Sequence, residues 1–168
     1  MQINELPFYD TSENTTGCCP RFKPDGWDGQ DIHFDKKRFV KAKTLSIAHI
    51  PLNFGKVFGR VQSAIDKAQA GLGDGYFVLS HDPSAFRGEH YFAVSKDVPG
   101  EDMVDLSGDY LTKVFEGPFQ DAGKWVAGME QVAREAGKVP KKVLFFYTTC
   151  PKCAKTYGEN FVVGFVQV

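Results

Sequence analysis

Apolar residues fall into regular periods from Phe39 onward and show none before it. Between residues 39 and 50, Val40, Ala42, Leu45 and Ile47 alternate well enough to predict a strand. Asn53 then stands in the position of a helix N-cap. After it, Phe54, Val57, Phe58, Val61, Ile65 and Ala68 are spaced for one face of a helix. The glycine-rich run at 71–75 stops that helix. Residues 76–80 predict a strand, 81–88 a turn and 89–98 the next strand.

The same order then recurs. Residues 108–116 predict a strand, and 118–136 carry Phe119, Ala122, Trp125, Met129, Val132 and Ala136 at helical spacing. Gly137 follows where a helix C-terminus prefers glycine. Residues 143–149 predict a strand, 150–159 a turn region and 160–168 a final strand. A shift of 68 residues lays Gly55-Lys56 on Gly123-Lys124, Val78-Leu79 on Phe146-Tyr147 and Asp82-Pro83 on Cys150-Pro151. An α+β fold is therefore expected, with two strand–helix–strand–strand (βαββ) repeats at 37–100 and 101–168 within one domain, 1–168. The antiparallel sheet would carry two helices, and the cleft between the repeats is the natural ligand site. Residues 1–36 carry Pro7, Pro20, Pro24, Gly17, Gly26 and Gly29 without a sustained period. They read as an irregular arm packed onto the domain through Phe8, Phe22 and Trp27.

Composition narrows the classes of partner. A chain of 168 residues buries roughly two-thirds of its unfolded surface and needs no staples to fold. The 15 Phe can fill a core or line a pocket. The formal charge is −1 and the cations are dispersed, so no basic stripe marks a nucleic-acid partner. The first ten residues lack a signal peptide's pattern, and the longest apolar runs are far too short to span a bilayer. A cytoplasmic location without membrane attachment is expected, where the four cysteines stay largely reduced.

Two segments carry a family likeness. Val114-Phe115-Glu116-Gly117-Pro118-Phe119 runs from a strand through a Gly-Pro-aromatic turn into the second helix, and Leu144-Phe145-Phe146-Tyr147 ends a strand just before a proline-containing turn. Over residues 39–168 the chain thereby resembles the GyrI-like family of small-molecule-binding domains. The resemblance implies an amphipathic, often cationic ligand in the inter-repeat cleft, with Tyr147 at the strand-end tyrosine position and Glu116 in the turn before the second helix. Some members are drug sensors behind a DNA-binding domain, and some hydrolyse strained cyclopropane-bearing toxins. The family's name also points to a protein-binding inhibitor of a partner such as a topoisomerase. No helix-turn-helix pattern precedes the repeats, so direct transcriptional control is not expected. Residues 161–168 hold no acidic side chain, and the Cys18-Cys19-Pro20 and Cys150-Pro151-Lys152-Cys153 elements are additions to the family pattern.

The cysteines admit several readings. Cys150-Pro-Lys-Cys153 follows a predicted strand as a thioredoxin-type dithiol does, although only 15 residues follow it. The same pair with Cys18 and Cys19 could grip one tetrahedral zinc ion, with His33 or His49 replacing one thiolate. Small buried residues that pack the arm, or a redox sensor, fit the pattern as well. For a ligand, Trp27, Tyr91, Tyr110, Trp125 and Tyr147 form a candidate aromatic wall, and Glu116 adds a carboxylate suited to an apolar cation. In a hydrolase, Glu116 would activate water and Tyr147 would protonate the leaving group. Trp125 on a helical stripe equally suits a core, and Glu116 at a helix start equally suits the helix dipole. His33, His49, His81 and His90 belong to no recognisable nucleophile motif.

Overall fold

The computed structural model describes residues 3–48, 50–73 and 77–168. His49, the alternative metal ligand, and Tyr76, the start of a predicted strand, lie outside the described residues. The elements run β1 (Asp31–Ile47), β2 (Ile50–Pro51), α1 (Phe54–Lys67), β3 (Val78–Ser84), β4 (Arg87–Ala93), β5 (Met103–Glu116), α2 (Ala122–Glu135), β6 (Lys142–Tyr147), α3 (Pro151–Tyr157) and β7 (Phe161–Gln167). A single 3₁₀ turn, Phe119–Asp121, leads into α2. The chain divides into two compact units, one of Asp35–Ser107 and one of Met1–Phe34 with Gly108–Val168. The boundaries fall inside β1 and β5.

In the Asp35–Ser107 unit, β1 pairs antiparallel with β4 from Phe39↔Ala93 to Leu45↔Arg87, and β4 pairs with β3 from Val78↔Phe92. The short β2 pairs with the far end of β1. Alternation sends Val40, Ala42, Val78 and Phe92 to one face, where α1 buries Val61 and Ile65 against them. Asn53 stands at the N-cap position as expected, but its side chain makes no capping bond; Oδ1 accepts the Leu45 N–H at 2.9 Å. Much of the turn predicted at 81–88 is strand. A register shift between His81 and Ser84 places Pro83, which has no N–H for the ladder, at the bulge.

That helix-facing layer contains a buried imidazole. His90 is 5% exposed and lies 2.9 Å from Thr44 Oγ1 through Nε2 and 2.8 Å from Ser80 Oγ through Nδ1. Gly88 makes room for the pair, since a Cβ there would sit 2.5 Å from Thr44 Oγ1. Burial lowers the His90 pKa to about 4, against a smaller opposing pull from Glu89.

In the other unit, β7 is the middle strand. It pairs antiparallel with β5 from Tyr110↔Gln167 to Glu116↔Phe161, and with β6 from Lys142↔Gln167 to Tyr147↔Val162. One face, with Leu111, Phe115, Phe145, Val162 and Val166, packs under Trp125, Met129 and Ala133 of α2. The contact is closest at Gly164, where a Cβ would overlap Met129 Sδ and lie 2.7 Å from its Cγ. The opposite face receives the N-terminal arm. Phe22 and Trp27 are buried, and with Tyr9 they ring Phe146 at centroid distances of 5.5–6.1 Å. Thr112 fastens the arm: its Oγ1 donates to Trp27 O at 2.6 Å and accepts the Gln30 N–H at 2.9 Å.

The two units repeat one arrangement, strand–helix–strand–strand, in which the last strand pairs with both of the other two. The 68-residue shift aligns the helix starts, because Gly55 and Gly123 are each the second helical residue. It fails at the prolines. Pro83 lies in a strand, whereas Pro151 opens α3 inside what reads from the sequence as a turn. That helix is bounded by an extended Cys150, a proline at its first position and Gly158 at φ 72°, a left-handed stop that suits glycine. At seven residues it is too short for a hydrophobic period to register.

Gly164→Ala should lower stability by about 1–3 kcal/mol in urea unfolding through overpacking against Met129. Gly59→Ala, on an exposed turn of α1 with nothing within 4 Å, should instead raise it by up to about 1 kcal/mol. The folded pKa of His90 lies below the ordinary value, so its contribution is fully present above about pH 6.5 and declines as pH falls toward 4. The loss should be on the order of 3 kcal/mol, and His90→Gln should remove most of that pH dependence.

Candidate functional site

The arm and α3 bring four cysteines together. The Sγ atoms of Cys18, Cys19, Cys150 and Cys153 all lie within 4.8 Å of one another, and those of Cys18 and Cys19 are 3.7 Å apart. All four are free thiols, with Cys19 and Cys153 buried and Cys18 exposed. The local backbone explains the convergence. Extended Cys150 precedes α3 and Cys153 lies one turn into it, so both side chains reach the same side. Cys19 meets them from the arm, and its Sγ accepts the Cys150 N–H at 3.4 Å. Tyr157 Oη donates to Cys19 O at 2.6 Å, and Arg21 pairs with Glu159 at 2.6 Å.

Thr16 sits at the centre of the arm's turn. Its hydroxyl accepts the Cys18 N–H at 3.2 Å and lies 3.3 Å from Cys153 Sγ. That contact is the leading cause that lowers the Cys153 thiol to about 7, whereas burial pushes Cys19 well above the ordinary thiol range. A cluster holding one acidic thiol among buried ones can bind a soft cation or be oxidised. His33, the other alternative ligand, is engaged elsewhere, with Nδ1 2.7 Å from Asp109 Oδ1.

The proposed aromatic wall is dispersed. Trp27 is 1% exposed, its Nε1 donates to Phe8 O at 3.1 Å, and its ring packs on Phe146. Tyr110 is equally buried against Phe34 at 5.1 Å, and burial raises its phenol to about 12. Trp125 stacks on Phe115 at 5.8 Å within the core under α2. Tyr147 is half-buried, with its ring 5.9 Å from Phe119 and 6.0 Å from Phe145. Glu116 is exposed at the end of β5.

The strand register bears on the acid/base pair expected from the sequence. Glu116 lies opposite Phe161 of β7, and Tyr147 lies opposite Val162, the next residue. Successive strand residues point to opposite faces, so the structure puts Glu116 and Tyr147 on opposite sides of the sheet and does not bring them together.

Tyr91 does meet a carboxylate. In the Asp35–Ser107 unit its hydroxyl donates to Glu89 Oε2 at 2.7 Å. Lys41, directly across the ladder, places Nζ 3.6 Å from Glu89 Oε1 and 5.7 Å from the centroid of the Tyr91 ring. The three occupy the sheet face away from α1. Tyr91 is buried, while the Glu89 side chain remains 19% exposed and also lines a groove of about 300 Å³ with Lys43, Pro83, Ser84, Arg87 and Gly88. Sequence reasoning named Tyr91 and missed Glu89 and Lys41. The signal was the i, i+2 spacing of Glu89 and Tyr91 in a strand, which fixes them on one face.

Comparison with known families decides membership. The family profile described as bacterial hydrolase matches residues 9–168. The chain belongs to the bacterial hydrolase family. The match takes in the arm from Tyr9 and both cysteine pairs, so this hydrolase-family chain extends well beyond the 39–168 span of the GyrI-like resemblance. Among solved structures, SAV2435 bound to tetraphenylphosphonium shares the fold at a TM-score of 0.50 and 11% identity, over 84% of this chain and 93% of that one. No curated protein matches the sequence of this bacterial hydrolase family member.

Proposed function

We propose that the protein is a GyrI-like binder of an aromatic or amphipathic small molecule, held at the Glu89–Tyr91 face of the Asp35–Ser107 unit. The observation that carries this reading is Glu89, which accepts the Tyr91 hydroxyl, pairs with Lys41 and lines the groove. Lys43, Ser84, Arg87 and Glu89 line that groove beside Pro83 and Gly88, and fixed polar groups of this kind orient a small ligand. The fold shared with SAV2435, a protein solved with a lipophilic cation, supports the same general role.

The local charges favour a different ligand from that cation. Lys41 already faces both Glu89 and the Tyr91 ring, so it competes with an incoming cation for the carboxylate and the π-face. The groove adds Lys43 and Arg87. Two cations against one carboxylate, with Lys41 behind, favour a ligand whose polar end is anionic or accepts hydrogen bonds.

Hydrolysis at the same place is the second reading, favoured by the family and by the paired acid and base. Glu89 accepts the Tyr91 hydroxyl on Oε2, and its partly exposed carboxylate would act as the base toward an attacking water. Tyr91 would return a proton to the departing oxygen or carbon.

Isothermal titration with tetraphenylborate and tetraphenylphosphonium, which share a shape and differ in charge sign, tests the binding reading. The borate should bind at least about tenfold more tightly, and Lys41→Met with Arg87→Met should erase that preference. A preference for the phosphonium would overturn the charge assignment, and no binding of either would overturn the site. For hydrolysis, release of p-nitrophenol from p-nitrophenyl esters should fall at least about a hundredfold in Glu89→Gln with circular dichroism unchanged. Full activity in that variant removes Glu89 as the base.

A further inference from the structure

We propose that Cys18, Cys19, Cys150 and Cys153 bind one zinc ion that fastens the N-terminal arm to α3. The geometry is close to what the ion requires. Four thiolates at a Zn–S distance of about 2.3 Å form a tetrahedron with edges of about 3.8 Å. The Cys18–Cys19 edge is 3.7 Å, and every other pair lies within 4.8 Å, so small rotations of the side chains close the tetrahedron. The sulfurs come from two chain segments more than 130 residues apart, one at the Cys18-Cys19 turn and one at the start of α3. Packing alone gives no reason for four thiols, rather than any other small side chains, to share one point.

The surroundings are built for sulfur ligands. The Cys150 N–H points at Cys19 Sγ, Thr16 Oγ1 touches Cys153 Sγ, and Tyr157 holds the Cys19 carbonyl. Such outer contacts orient ligands and soften the charge that four thiolates place around a divalent ion. Cys18 is exposed, which gives the ion an entry path, while Cys19 and Cys153 are buried beneath it. On binding, four Zn–S bonds form and the thiol protons leave to solvent, with no change in oxidation state. Four protein ligands fill the tetrahedron and leave no position for water, so the zinc is structural.

The test uses the full chain, purified under reducing conditions without chelator. Native mass spectrometry and elemental analysis should give one zinc per chain, and the paired substitution Cys18→Ser with Cys153→Ser should lose it. If that variant does not fold, the wild-type chain still decides. Stripping with a chelator and adding Co²⁺ should produce the intense visible bands of tetrahedral thiolate cobalt, displaced by one equivalent of Zn²⁺. Limited proteolysis should cut the arm in the stripped protein and spare it once zinc returns. A metal-free chain with four freely titrating thiols and no cobalt bands would overturn the proposal. So would a mass lowered by the hydrogens lost to disulfides, which would make the cluster a redox pair, and iron in the purified chain would overturn the assignment to zinc.

Discussion

Everything in the Gly108–Val168 part of the fold depends on the register of β7. As the middle strand it distributes side chains to two faces with a period of two, and each face has its own cover. Val162 and Val166 meet α2, while Phe161 contributes to the aromatic ring around Phe22 and so to the arm. A slip of one residue would exchange these sets and present α2 with the arm's partners. Gly164 adds a second lock, because Met129 descends onto the sheet there into space that a Cβ would occupy.

The periodic parts of this architecture were legible in the sequence. The apolar stripes of α1 and α2, the final strand and the recurrence of strand, helix, strand and strand all appear at the expected places. The first strand begins at Asp31 because Ile32 and Phe34 already alternate with polar residues, a signal hidden by the charged run Asp35-Lys36-Lys37-Arg38 that follows. The third helix was hidden for a different reason. Its ends are set by Pro151 and Gly158, residues that also mark turns, and its length gives no period to read.

Candidate chemistry was legible where spacing alone decides and illegible where pairing decides. From spacing, the adjacent cysteines and the CxxC run could be joined as one metal site, although packing and redox readings fit the same pattern. Trp27, Tyr110 and Trp125 read as an aromatic wall, yet each is consumed by a different core contact. The choice between core and pocket rests on which faces are covered, and the 15 Phe offer partners on either side. Glu116 and Tyr147 needed the register to be assessed, whereas Glu89 and Tyr91 were linked by strand spacing in plain view.

The division of the chain has a consequence for how it is made. Residues Asp35–Ser107 are continuous, whereas the other unit is assembled from the first 34 residues and the last 61. During synthesis the continuous unit emerges whole while its companion lacks β6, α3 and β7. Domains generally fold in the order in which they leave the ribosome. Here the segment that precedes the continuous unit is among the last to find its place. Phe22, Trp27 and the Cys18-Cys19 turn wait through most of translation with their apolar surface uncovered, until Phe146 and the CxxC helix arrive.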